Sequence, residues 1–155
     1  MPTIPPANSA DILLWTTASD GSEGGPRPPT YPGDAGFDLF VSQDTKLIPR
    51  KTAIVPCGCR VALPPGYSSF VMTRSSTVLR GILVFQTLID NGYRGDVFIY
   101  AFNLNNYELI AEQGERLAQL VPFLGSAWHM GLEKVDPSKL PPSLRGDKGF
   151  GSSGK

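Results

Sequence analysis

DVFIYAFN, residues 96–103, is the stretch on which the fold class turns. In an extended strand successive side chains point to opposite faces, so Val97, Ile99 and Ala101 share one face while Phe98, Tyr100 and Phe102 share the other. Both faces are largely apolar. Such a strand is covered on both sides, by a second sheet or by a neighbouring subunit. Outward from it, similar short runs rich in β-branched and aromatic residues recur: ILLWTTA, FDLFV, TAIVPCGCRVAL, YSSFVMT, GILVF, YELIA and RLAQLVPFL. The chain holds 17 glycines and 15 prolines, spread through it so that few windows can hold a helix of ordinary length. The pattern predicts an all-β protein, a sandwich or a closed, barrel-like jelly roll. A chain of 155 residues, 41% of them hydrophobic, suffices for one core and is short for two domains. Residues 20–32, DGSEGGPRPPTYP, read as a loop, and EKVDPSKLPPSL, 133–144, as an extended linker to the C-terminal tail.

The charge excludes some partners. Lys plus Arg and Asp plus Glu both number 14, so the basic excess that marks nucleic-acid or anionic-membrane surfaces is absent. Cys57 and Cys59 stand two apart in VPCGCRVAL and point the same way on a strand; such neighbours rarely form an unstrained disulfide, and free thiols in a reducing compartment are expected. With His129 the single histidine, no zinc spacing exists and a Ser-His-Asp triad would rest on that residue alone. The N-terminus lacks the pattern of a secretory leader, and no run approaches 18 apolar residues. A soluble, cytoplasmic protein with no membrane partner is expected.

Five short motifs carry candidate chemistry. DAGFDLF, 34–40, places Asp38 at the head of a strand, where a glycine turn with a polar flank is by itself the better explanation. TRSST, 73–77, joins the planar cation of Arg74 to the hydroxyls of Ser75 and Ser76, a set suited to phosphate oxygens and also to an ordinary surface turn. LIDNGYRGDVFIYAFN, 88–103, reads as a hairpin between LVFQTLI and the next strand, and turn composition accounts for Asp90 and Gly92 without any function. GERLAQLV, 114–121, has Gln119 as the polar residue of an apolar run, either paired locally or reaching into a site. The tail RGDKGFGSSGK, 145–155, ends in G-x-x-x-x-G-K, the opening of a phosphate loop, but it follows a Pro-rich linker and lacks the following Ser/Thr and helix.

In order and combination, AGFDL, RSS, IDNGYRG, GERLAQL and RGDKGFGSSG resemble the five motifs of the dUTPase family, over about Thr30 to Lys155. The resemblance implies a jelly-roll β-domain over 1–132 with a flexible linker and arm over 133–155, assembled as a homotrimer whose sites are shared between subunits. It implies Mg2+-dependent hydrolysis of dUTP to dUMP and pyrophosphate, with Asp90 as the general base that deprotonates the attacking water. By the same resemblance Tyr93 would lie against the deoxyribose and exclude a 2'-hydroxyl. Leu88 and Ile89 would flank the nucleoside, and main-chain groups around Phe98 would read the uracil edge. Arg74, Ser75 and Ser76 would hold triphosphate oxygens and Gln119 the α-phosphate region or the water. Asp38 would meet magnesium through a water, and Arg116 would pair with an acidic residue near the first motif. In the arm, Arg145 would reach the γ-phosphate, Phe150 would stack on uracil, and Gly151, Ser152 and Ser153 would wrap phosphate.

The chain departs from the family pattern in two places. Thr73 and Ser76 replace the proline and glycine of the common second motif, and Thr87 replaces a glycine three residues before Asp90. RSS followed by Arg80 also resembles the related dCTP deaminases, but their catalytic glutamate has no counterpart among Ile99, Tyr100 and Ala101. A rival reading of another class is a dUTPase-like binding or regulatory protein without turnover, against which stand the intact Asp90, Tyr93, Gln119 and arm.

Overall fold

The computed structural model describes residues 12–125, 127, 130–145 and 147–148. Eleven strands are present among them: β1 (Leu14–Thr16), β2 (Pro26–Arg27), β3 (Phe37–Phe40), β4 (Thr45–Leu47), β5 (Thr52–Ala62), β6 (Tyr67–Thr73), β7 (Ile82–Val84), β8 (Thr87–Ile89), β9 (Asp96–Asn103), β10 (Leu109–Ala111) and β11 (Arg116–Leu124). A single short helix, α1 (Ser75–Leu79), lies between β6 and β7. The strands form a four-stranded sheet ordered β1-β5-β9-β7, a five-stranded sheet ordered β2-β3-β11-β6-β8, and a two-stranded β10-β4 ribbon. The strand pairs are antiparallel. Each expected apolar run contains a strand, and the all-β class holds.

Val55, Cys57, Val61, Val97, Ile99 and Ala101 of the first sheet and Leu39, Val71, Ala118, Leu120 and Ile89 of the second pack into one core. The two faces of β9 differ. Val97, Ile99 and Ala101 are buried, while Phe98 and Phe102 are half-buried and Tyr100 is exposed. Ile54 and Tyr100 are register partners on the same outer face, as are Leu83 and Phe102, and Phe85 meets Phe102 edge to face at 6.5 Å. One sheet thus covers one face of β9, and an apolar strip remains on the other. No helix among the described residues is long and apolar enough to cross a membrane.

Three expectations need correction. LVFQTLI is not one strand and 88–103 is not a hairpin: β7 pairs with β9, whereas β8 pairs with β6 in the other sheet. The chain changes sheets at Gln86, so the turn at 90–95 carries it from one sheet to the other. The loop 20–32 contains β2, paired with β3 through Pro26 and Leu39. TRSST does not end in a surface turn; α1 starts there, held by a buried Thr77. The segment 133–144 is exposed and extended apart from a 3-10 turn at Pro137–Lys139. Asp136 caps that turn, and the hydroxyl and N–H of Ser138 hold its carboxyl below the usual value.

Candidate functional site

The third motif lies at the crossing between the sheets. Asp90 and Tyr93 are exposed on a tight turn in which Tyr93 N–H donates to the Asp90 carbonyl (3.0 Å). Tyr93 Oη donates to the Asp96 carbonyl at 2.9 Å, which fixes the ring over the start of β9. Leu88, Ile89, Asp90, Tyr93 and Phe98 line one cavity of about 360 Å³, together with Asp96. The carboxylate of Asp96 is occupied by the N–H and hydroxyl of Ser19.

The main chain at Phe98 opens into this cavity for a reason visible in the register. Tyr100 C=O accepts from Phe85 N–H (2.8 Å), so the polar groups of Tyr100 face the β7 edge. Those of Phe98, two residues away, face the same edge. The β7 ladder runs only as far as Val84 opposite Ala101, which leaves Phe98 N–H and C=O beyond its end. On the other edge Pro56 lies opposite Phe98, a pairing in which a residue without an N–H costs no ladder bond.

The first, second and fourth motifs meet elsewhere. Asp38 on β3, Arg74 and Ser75 at the start of α1, and Arg116 and Gln119 on β11 line a polar cavity of about 460 Å³ with Asp34. Asp38 sits opposite Gln119 in the β3–β11 ladder. Its two oxygens take Arg74 Nε at 3.0 Å and Arg116 Nη1 at 3.3 Å, and Arg74 also donates to the Arg116 carbonyl at 3.2 Å. Gln119 Nε2 donates to Thr73 C=O at 3.0 Å, leaving Oε1 toward Gly36. A Cβ on Gly36 would come within 3.0 Å of that oxygen, so the glycine keeps the approach open. The cavity brings together two arginines, the Asp38 carboxylate they share, the Asp34 carboxylate, an amide oxygen and the exposed hydroxyl of Ser75, and its guanidinium and hydroxyl donors are of the kind that bind phosphate oxygens.

Helix α1 is pinned from within and from its end. Thr77 Oγ1 donates to the Leu117 carbonyl at 2.7 Å, where the β11 register shifts between Arg116 and Ala118, and Arg80 pairs with Glu115. Ser76 is exposed in the first turn and its φ is not positive, so the serine needs no glycine there. Thr87 is half-buried on β8 opposite Val71.

The structure therefore gathers sequence-derived residues into two groups that share no lining residue, Asp90 with Tyr93 in one and Arg74 with Gln119 in the other, while Ser76 lines neither cavity. Arg145 is exposed, its Nε donating to the Lys148 carbonyl at 2.9 Å. Phe150, Gly151, Ser152, Ser153 and the phosphate-loop-like stretch at 149–155 lie outside the described residues, as do Trp128 and His129. Sequence reasoning missed Asp34, whose carboxylate accepts from Tyr31 N–H at 3.0 Å, and the ties that hold the Asp90 turn. Those that run from Asn91 reach residues 24 to 28 positions away in sequence and leave no local signal.

A family model described as dUTPase matches residues 26–154. A deoxyuridine 5'-triphosphate nucleotidohydrolase of Streptomyces griseus is 38% identical over 131 residues, covering 80% of this chain and 70% of the relative. The protein of that name from Tropheryma whipplei strain Twist is 39% identical over 129 residues, covering 81% and 86%. Among solved structures, a mutant Staphylococcus bacteriophage 80alpha dUTPase with dUpNHpp superposes with a TM-score of 0.78 at 26% identity, over 93% of this chain and 99% of the other. A mutant dUTPase from phage phi11 of S. aureus, described with a structural Mg(II) ion, gives 0.72 at 22% identity over 84% and 100%.

Proposed function

The chain belongs to the dUTPase family, and from that premise we propose that it hydrolyses dUTP to dUMP and pyrophosphate with Asp90 as the general base. The observation that carries the residue assignment is the pairing, in one cavity, of an exposed carboxylate at Asp90 with the open main-chain edge of Phe98. A nucleoside seated there meets Phe98 N–H and C=O at its base, and Tyr93 at its sugar. Uracil offers N3–H and O4 to such a pair, whereas cytosine reverses both and leaves the main-chain groups unsatisfied. Tyr93, held by its bond to Asp96, stands where a 2'-hydroxyl would project. Asp90, at the rim, takes a proton from the attacking water as an oriented carboxylate does.

The polar cavity supplies the phosphate end. Arg74, Ser75 and Ser76 hold phosphate oxygens, and Gln119, with one N–H of its amide used by Thr73, accepts from the water through Oε1 or donates its second N–H to the α-phosphate. Arg74 places positive charge where the departing pyrophosphate gains negative charge. The carboxylates of Asp34 and Asp38 in this cavity also suit magnesium, which in nucleotide sites takes one or two carboxylates plus phosphates and water. Both oxygens of Asp38 are engaged by arginines, so Asp38 would hold the ion through a water. When bound, magnesium neutralises the triphosphate and polarises the scissile phosphorus.

The separation of the two cavities supports a site completed between copies of the chain, and the apolar strip of Ile54, Leu83, Phe85 and Tyr100 supports a homotrimer in which β9 is covered on its second face. The segment from 133 onward then serves as an arm, with Arg145, Phe150, Gly151 and Ser152 closing over the nucleotide. A nucleotide-specificity assay tests the reading. Pyrophosphate release is expected from dUTP with magnesium, with little from dCTP, dTTP or UTP, and Asp90→Asn should abolish turnover while dUTP still binds. Binding of dUTP without hydrolysis by the unaltered protein would favour the regulatory alternative, and unchanged turnover in Asp90→Asn would sink the base assignment.

A further inference from the structure

Asp90 projects from a turn that has little to pack against on its solvent side: Asp90, Gly92, Tyr93 and Arg94 are all exposed. A general base on such a turn would wander unless the backbone were fixed by polar bonds, since proton abstraction needs the carboxylate within hydrogen-bond reach of one water. The fixing group is the side chain beside it. Asn91 Nδ2 donates to the Pro64 carbonyl at 2.8 Å and to the Tyr67 carbonyl at 2.8 Å, with the Leu63 carbonyl at 3.5 Å. Facing carbonyl oxygens alone, the amide end of Asn91 must present its nitrogen, so the orientation is set by chemistry.

The surface it grips is unusually stiff. Pro64-Pro65-Gly66-Tyr67 closes with Tyr67 N–H on the Pro64 carbonyl (3.1 Å), and Gly66 has φ +83°. Proline at the second position and a left-handed glycine at the third make a type II turn with little freedom on either side. The Pro64 carbonyl, already aimed by that turn, accepts from Asn91 as well. From behind, Arg94 Nη1 donates to the carbonyls of Asn91 (2.7 Å) and Tyr93 (2.8 Å). The turn carrying Asp90 is thus clamped between a rigid proline turn and a guanidinium.

We propose that Asn91 is a positioning residue for the reaction: its side-chain amide ties the Asp90 turn to the Pro64–Tyr67 turn and so sets where the base meets the water. The proposal rests on the assignment of Asp90 as base. The Asn91 amide is turned to the Pro64 and Tyr67 carbonyls and Asn91 does not line the cavity of Asp90, Tyr93 and Phe98, so its loss should act on the chemical step and not on binding. Replacing Asn91 by Ala removes the donors. Replacing it by Asp keeps the shape and turns a carboxylate toward carbonyl oxygens.

The test measures steady-state dUTP hydrolysis, affinity for a non-hydrolysable α,β-imido analogue of dUTP, and amide hydrogen exchange of the 88–96 segment, in the intact protein and in Asn91→Ala, Asn91→Asp and Arg94→Met. For Asn91→Ala, kcat should fall about 10- to 100-fold with KM and analogue affinity unchanged. Exchange at 88–96 should quicken while β5 keeps its protection. Asn91→Asp should lose at least as much, and Arg94→Met, an exposed change that leaves the core alone, should show the same pattern more weakly. If both Asn91 variants fail to fold, Arg94→Met decides. Unaltered kcat, or a loss of kcat matched by an equal loss of analogue affinity, overturns the proposal, and so does unchanged exchange. An unaltered protein that fails to hydrolyse dUTP defeats the functional reading instead, and the exchange measurement still judges the tether.

Discussion

Cys57 and Cys59 show what burial does to a single side chain. Both are buried in the core and unpaired by any disulfide, and standing two apart on β5 they share its inner face. Burial pushes the Cys57 thiol well up, with Cys59 adding to it, and pushes the Cys59 thiol to about 12, with Asp96 adding to it. A thiolate is the reactive form, so neither cysteine should react with a thiol reagent at pH 8 in the native protein, and both should react once urea unfolds it. Counting labelled thiols by mass spectrometry checks this; labelling of the folded chain at the unfolded rate would contradict the burial. The same shift has a stability consequence. The folded thiol holds its proton above the value of 9.0 typical of an exposed thiol, so this contribution is fully present below about pH 9 and is lost as pH rises towards about 12. Urea midpoints should fall across that window, and Cys59→Ala should flatten the fall.

At the scale of elements, α1 is the informative case because nothing in SSTVL announces a helix of five residues. Isolated helices so short do not persist in water, and α1 exists because two long-range contacts hold it: Thr77 to the Leu117 carbonyl and Arg80 to Glu115. Thr77→Val keeps the volume and removes the donor, leaving a buried carbonyl unsatisfied at the register shift of β11. It should cost about 1–3 kcal/mol, read as a lowered urea midpoint with an unchanged slope, and Thr77→Ser should recover most of it. No loss would show that the hydroxyl is idle. The same logic explains which elements were legible in the sequence. β5, β6, β9 and β11 are long enough for composition to reveal them. β2 and β4 are two or three residues long and exist through their partners β3 and β10. The break at Gln86 was invisible because LVFQTLI is uniformly strand-forming, and only the destinations of its halves, β9 and β6, separate β7 from β8.

For the whole molecule, the five motifs named candidate residues for the site but not their grouping, since that depends on which sheet each strand joins. β3, α1 and β11 bring Asp38, Arg74 and Gln119 together; the crossing from β8 to β9 brings Asp90, Tyr93 and Phe98 together; no lining residue is common to the two cavities. If the first group of one copy meets the second group of its neighbour, two differently crippled chains must be able to repair each other. Asp90→Asn and Arg74→Ala should each be inactive alone. After unfolding and joint refolding of equal amounts, about a quarter of the sites in randomly mixed trimers draw an intact Asp90 from one chain and an intact Arg74 from the next, so about a quarter of the unaltered activity should return. A site built within one chain predicts none, because every copy then carries a defect in its own site. Mixing without refolding controls for slow exchange, and Tyr100→Asp, which puts a charge into the apolar strip of β9, should reduce both the sedimentation coefficient and the recovery together. Recovery that survives in monomers would remove the shared site and the interface on β9 at once.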